Sequence, residues 1–136
     1  MRTIKKIQLV EEHLKELLEE EISEAGSRLA RAIVAEKLGL AELASDLREV
    51  ALDEAKHAAM IIEVLRKQKL KEPRYWLSVV NDMIDADSGA SGREQDFVQI
   101  ARRAGLEEEA RLFEQLSKDE IEHVEKLRKI VAVLGF

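Results

Sequence analysis

Displaced by 66 residues, the chain lies over itself. Gly26 falls on Gly92, Gly39 on Gly105, Leu40 on Leu106, Glu42 on Glu108, Ala44 on Ala110 and Leu47 on Phe113. The register continues without a gap through Asp53 and Asp119, Glu54 and Glu120, His57 and His123, Ile61 and Leu127, and Val64 and Ile130. A repeat of this length means two copies of one supersecondary unit, which bury their apolar faces by stacking. The fold therefore has to be built twice from the same part, residues 7–70 and 73–136, within one domain spanning 1–136.

Each part reads as two helices. Val10, Leu14, Leu17, Leu18, Ala25, Leu29, Ala32 and Ile33 recur at helical spacing and stop at Gly39, a natural terminator. A second stripe runs through Leu43, Leu47, Val50, Ala51, Ala58, Ile61, Val64 and Leu65 and has to end before Pro73. The third passes Leu77, Val80, Met83 and Ile84, meets the Ser88-Gly89-Ala90-Ser91-Gly92 stretch, which is expected to weaken or break it, and resumes through Phe97, Ile100 and Ala101 to Gly105. The fourth carries Leu112, Phe113, Leu116, Val124, Leu127, Ile130 and Val131 to Gly135. The expected class is all-α, a four-helix bundle made of two similar hairpins.

The stripes are interrupted by charge. Three residues turn an α-helix by about 300°, so Glu54 and His57 lie about 60° apart on one face and about 4.5 Å apart along the axis. Glu54 thereby sits among Leu47, Val50, Ala51, Ala58 and Ile61, and Glu120 likewise among Phe113, Leu116, Val124 and Leu127. Glu21 interrupts the first stripe and Asp87 the third, each 33 residues before the Glu of its own Glu-x-x-His. A hairpin turning near Gly39 or Gly105 brings Glu21 level with Glu54 and Asp87 level with Glu120. Unpaired buried carboxylates cost several kcal/mol each, and a pair of divalent ions supplies the missing charge. The candidate ligands are Glu21, Glu54, His57, Asp87, Glu120 and His123. A single Glu-x-x-His in a Glu-rich helix is ordinarily a solvated pair; two in register with a repeat, using two of only three histidines, point to metal.

Composition narrows the chemistry. There is no cysteine, so any metal is held by carboxylate and imidazole and not by thiolate. The formal net charge of −6, with 22 Lys and Arg scattered among 28 Asp and Glu, offers no basic stripe for nucleic acid. No apolar run is long enough for a membrane span, and the basic start, Met1 to Lys6, leads into an amphipathic stretch unlike a signal peptide. A cytoplasmic protein is expected.

These residues resemble the ferritin-like di-iron carboxylate proteins, and the rubrerythrin group in particular. Glu21 to His57 fit the group's spacing, and "FVQIARRAGLEEEARLFEQLSKDEIEHVEKL" looks like the second half of such a bundle. The resemblance implies two iron ions per site, manganese being the other candidate, with Glu21 and Asp87 as terminal ligands. Glu54 and Glu120 would bridge the ions, and His57 and His123 would each cap one. Asp87 stands where the family usually has Glu, with Asp85 nearby as a substitute. The further Glu that the group carries three residues later is here Ala90, whereas Glu24 occupies the equivalent place in the first half. The implied activity is reduction of hydrogen peroxide or O₂, with electrons from a separate donor because no rubredoxin domain is present.

Ferritin-like bundles join their second and third helices by a long crossover, but Lys69 to Arg74 leaves only a handful of non-helical residues. Either residues 74–86 are themselves the crossover, or two chains exchange hairpins in a domain-swapped homodimer, which is the expected form. Two other functions fit the sequence, a ferroxidase or iron carrier using the same site, and a metal-free helical interaction module. His13, about 12 Å from Glu21 along the helix, is read as a surface residue. Asp53 and Asp119 are second-rank candidates for orienting imidazole, Tyr75 and Trp76 are read as core or interface anchors, and Arg28 and Glu94 as oppositely charged repeat partners.

Overall fold

The computed structural model describes residues 2–134; Gly135, expected to close the last helix, lies outside them. The described chain is four α-helices and a short 3-10 turn: α1, Arg2–Lys37; α2, Ala41–Leu65; α3, Pro73–Arg103; and α4, Glu107–Val133, with the turn at Lys69–Lys71. It forms two compact units, residues 1–68 and 69–136. In each, two long helices pack side by side as an antiparallel hairpin, α1 on α2 and α3 on α4.

The two hairpin turns are built identically, and glycine is the reason. Gly39 and Gly105 adopt φ of +80° and +76°, a conformation that costs an L-residue with a side chain roughly 1–2 kcal/mol. That twist lets Leu40 N–H donate to Ala35 C=O (2.9 Å) and Gly39 N–H to Glu36 C=O (3.0 Å), the paired bonds that satisfy the last carbonyls of a helix. Leu106 to Ala101 (2.9 Å) and Gly105 to Arg102 (3.1 Å) repeat them. The Leu40 and Leu106 carbonyls then accept from Ala44 and Ala110, opening the next helix.

Small residues recur every seven positions along the seam. Ala44, Ala51 and Ala58 are buried on α2, and Ala32 on α1; α4 places Ala110, Ser117 and Val124 at the same steps, opposite Ser91 and Val98. A seven-residue period keeps one stripe facing a partner helix as the pair supercoils. Small side chains let the backbones come close. In the second hairpin Ser91 and Ser117 replace Ala25 and Ala51, and their buried hydroxyls bond to each other across the seam at 3.1 Å. Glu36 pairs with Arg48 in the first hairpin, and Arg102 with Glu114 in the second, which is the same bridge with its charges exchanged.

Helix α3 runs unbroken through Gly89 and Gly92, contrary to the expectation of a break. Each helical glycine costs about 1 kcal/mol relative to alanine, and packing along α4 outweighs it. Pro73 opens the helix at its first turn, where a missing N–H is harmless. Residues 74–86 are thus part of α3. Trp76 donates its indole N–H to Leu70 C=O at 2.8 Å and stands edge-on to Tyr75, fastening the 3-10 turn to α3.

Neither hairpin closes a core of its own. Among the described residues no large side chain is fully buried, and Leu43, Val50, Met83 and Leu116 remain 38–49% exposed on the faces that carry the carboxylates.

Candidate metal centre

The first hairpin concentrates its charge at mid-height. Glu54 is 7% exposed although it is a carboxylate, and Glu21 from α1 lies beside it. Carboxylate oxygens of Glu21, Glu24 and Glu54 come within 4.8 Å of one another. Arg28 donates to Glu54 Oε2 at 2.7 Å and approaches Glu24 at 3.5 Å. His57, one turn beyond Glu54, turns Nδ1 toward Glu21 Oε2 at 3.4 Å. Burial pushes the Glu54 carboxyl above its ordinary pKa; contact with Glu24 pushes the same way, Arg28 opposes it, and the charges of Glu24 and Glu21 add to the rise.

Three carboxylates around one guanidinium remain short of positive charge. Glu21 Oε2 and Glu54 Oε1 are buried with no hydrogen-bond partner in the protein, a state that native structures rarely tolerate without an ion or water. Hard oxygen donors converging with an imidazole close by suit iron or manganese. The donor set fits a metal.

The second hairpin places Asp87 and His123 on the wall of one cavity of about 370 Å³, together with Met83, Ala86 and Leu127. Glu120 Oε2 is buried and unpartnered, as in the first hairpin. Asp85 is exposed and Asp87 half-buried, so Asp87 is the better placed of the two. Asp119 accepts a hydrogen bond from Gln115 at 2.8 Å, Asp53 is exposed, and so is His13. Two residues of the first cluster were not among the six candidate ligands, Glu24 and Arg28. Both lie on the Glu21 face, three and seven residues on, and that spacing was the signal that could have found them.

The rubrerythrin family profile matches residues 16–131, which include all six candidate ligands. The chain belongs to the rubrerythrin family. It is 29% identical over 124 residues to an uncharacterised protein of Methanocaldococcus jannaschii, covering 90% of this chain and 84% of that one. It is 25% identical over 111 residues to reverse rubrerythrin-1 of Clostridium acetobutylicum, covering 82% of this chain and 60% of that protein's length. No solved structure matches. The four helices in two hairpins are the halves of a ferritin-like bundle, and no described helix is long and apolar enough to cross a membrane.

Proposed function

We propose that the protein is a non-haem di-iron oxidoreductase of rubrerythrin type that reduces hydrogen peroxide or O₂ with electrons from a separate donor in the cytoplasm. The observation that carries this reading is the set of buried carboxylate oxygens without a hydrogen-bond partner, Glu21 Oε2, Glu54 Oε1 and Glu120 Oε2, of which those of Glu54 and Glu120 occupy matching places in the two hairpins. Glu21, Glu54 and His57 from one hairpin, with Asp87, Glu120 and His123 from another, would hold two ions. When bound, iron supplies the electrons that a peroxide or dioxygen needs. The chain's own residues do the rest. Burial raises the Glu54 pKa, which a cation bound there would oppose by favouring the carboxylate, and Glu24 adds a carboxylate that the second hairpin lacks at Ala90. Leu47, Val50 and Ile61 keep water from the carboxylates once the open face is covered.

The cover is a second hairpin, and we infer that a second chain provides it. The α2–α3 link is seven residues, 66–72, and spans at most about 25 Å. Helix α2, at 25 residues, is about 38 Å long. A link that short does not run back along α2 as ferritin-like connectivity requires, whereas a homodimer exchanging hairpins needs no crossover.

Elemental analysis of protein purified without an affinity tag, followed by peroxide turnover with an artificial reductant, tests the reading. About two iron ions per set of six ligands are expected, as in two-metal sites generally. Glu54→Ala with Glu120→Ala should abolish both metal and turnover. Undiminished turnover in that variant would sink the proposal. Rapid uptake and release of iron without peroxide turnover would favour an iron carrier instead.

A further inference from the structure

Glu54 presents its two oxygens unequally. Oε1 is buried with no hydrogen-bond partner, whereas Oε2 accepts from Arg28 Nη1 at 2.7 Å across the seam between α1 and α2. The same nitrogen stands 3.5 Å from Glu24 Oε2, one turn away on its own helix. Arg28 thus reaches two carboxylates, one buried and one half in solvent, the side chains of Glu54 and Glu24 being 9% and 50% exposed. Two other bridges cross the seams, Arg48 to Glu36 and Arg102 to Glu114, but all four of those side chains are 42–62% exposed, and exposed pairs of that kind have little net effect. The Arg28 bridge ends on a buried candidate ligand. The repeat does not reproduce it, since Glu94 stands at the position of Arg28 and Ala90 at that of Glu24.

We propose that Arg28 is the internal counter-ion of the first hairpin's carboxylates, which a metal ion displaces from Glu54 onto Glu24 as it binds, so that Arg28 sets how tightly the site holds metal. The inference rests on the metal reading proposed above and assigns that site a positioning residue, not a further ligand. Its first support is charge. Glu21, Glu24 and Glu54 bring carboxylate oxygens within 4.8 Å of one another, and like charges that close repel unless a cation lies among them. The Arg28 guanidinium is that cation, and it holds the cluster together in the arrangement that a metal needs.

The second support is competition. A divalent ion and a guanidinium on the same carboxylate repel each other, and burial leaves that repulsion poorly screened. One has to give way, and Glu24 is where the guanidinium goes. Glu24 and Arg28 are i and i+4 on one helix, the favourable order for an acid and a base, and the Arg28 side chain is partly in solvent. A change of rotamer therefore makes the transfer with no movement of the backbone. Removing the charge should act in opposite directions on the two states. Protein in chelator loses its counter-ion and becomes less stable, because breaking a buried pair leaves an uncompensated charge. Loaded protein loses a repulsive neighbour and holds its ion more tightly. A residue that merely braced the hairpin would weaken both states alike.

Arg28→Gln tests this, since it keeps a polar side chain and removes the charge. The probe is Co(II), the neighbour of Fe(II) in the order of divalent affinities, titrated calorimetrically into protein stripped with chelator and dialysed. Arg28→Gln should bind Co(II) about tenfold more tightly than the wild type, equivalent to about 1.4 kcal/mol. At one fixed protein concentration, its melting temperature in chelator should fall below that of the wild type, and saturating Co(II) should close or reverse the gap. Arg28→Lys, which restores the charge on a different head group, should lie between the two in both readings. If Arg28→Gln is unfolded in chelator, Co(II) should restore its helical circular dichroism, and failure to do so overturns the proposal. Wild-type protein that binds Co(II) beside an Arg28→Gln variant that binds it no better overturns the proposal and leaves the metal site standing. Binding by neither protein removes the metal reading, and this inference with it.

Discussion

Glu54 is the residue at which fold and chemistry conflict most directly. Its burial raises its pKa, and Glu24 and Glu21 add to the rise against the opposition of Arg28. The consequence for stability has a definite sign. Below the ordinary carboxylate value, about 4.3, Glu54 is protonated in folded and unfolded chains alike, and the folded state carries no penalty. As pH rises through the raised folded value, the unfolded chain has already ionised and the folded one resists, so the Glu54 contribution is lost. Metal-free protein in chelator is therefore expected to melt lower at pH 7 than at pH 5 as far as Glu54 governs it. Glu54→Gln should flatten that slope and abolish stabilisation by added Fe(II). Melting curves of both proteins across that range check this, and an unchanged slope in the variant would show that Glu54 is not the strained group. Of the cluster, Glu21, Glu54 and His57 were legible as charge within an apolar stripe. Glu24 was visible as a departure from the repeat, but it is exposed, and only the folded hairpin gathers it with Glu21 and Glu54. Arg28 was harder to read, because pairing it with Glu94 by repeat position overlooked the carboxylate across its own seam, Glu54 at 2.7 Å.

Among the elements, the hairpin turns were the most legible and α3 the least. Gly39 and Gly105 stop their helices because both need a left-handed conformation, and a glycine after an apolar stripe signals that from sequence. The glycines of α3 carry no such requirement, since Gly89 and Gly92 are helical. Local propensity alone does not distinguish the two kinds, because the packing of a 31-residue helix on α4 is set by residues far from the glycines. The distinction is measurable. Gly39→Ala and Gly105→Ala should each destabilise by about 1–2 kcal/mol, whereas Gly92→Ala should stabilise by up to about 1 kcal/mol, read from chemical denaturation. Equal losses at all three would mean that Gly92 is held by something other than helix propensity.

At the scale of the molecule, the repeat revealed the halves but not how they are completed. A hairpin seam lined by alanine, serine and valine brings helices close while burying little large apolar surface, so each hairpin depends on whatever covers Leu43 and Val50, or Met83 and Leu116. If the cover comes from a second chain, as the seven-residue link supports, folding is coupled to association, and stability becomes a function of protein concentration. The melting temperature should rise steadily as the chain is concentrated over a hundredfold range, because each tenfold step adds about 1.4 kcal/mol to the free energy of a bimolecular assembly. A melt independent of concentration would mean that the chain covers its own hairpins, and the exchanged dimer would have to be abandoned while the metal ligands stood.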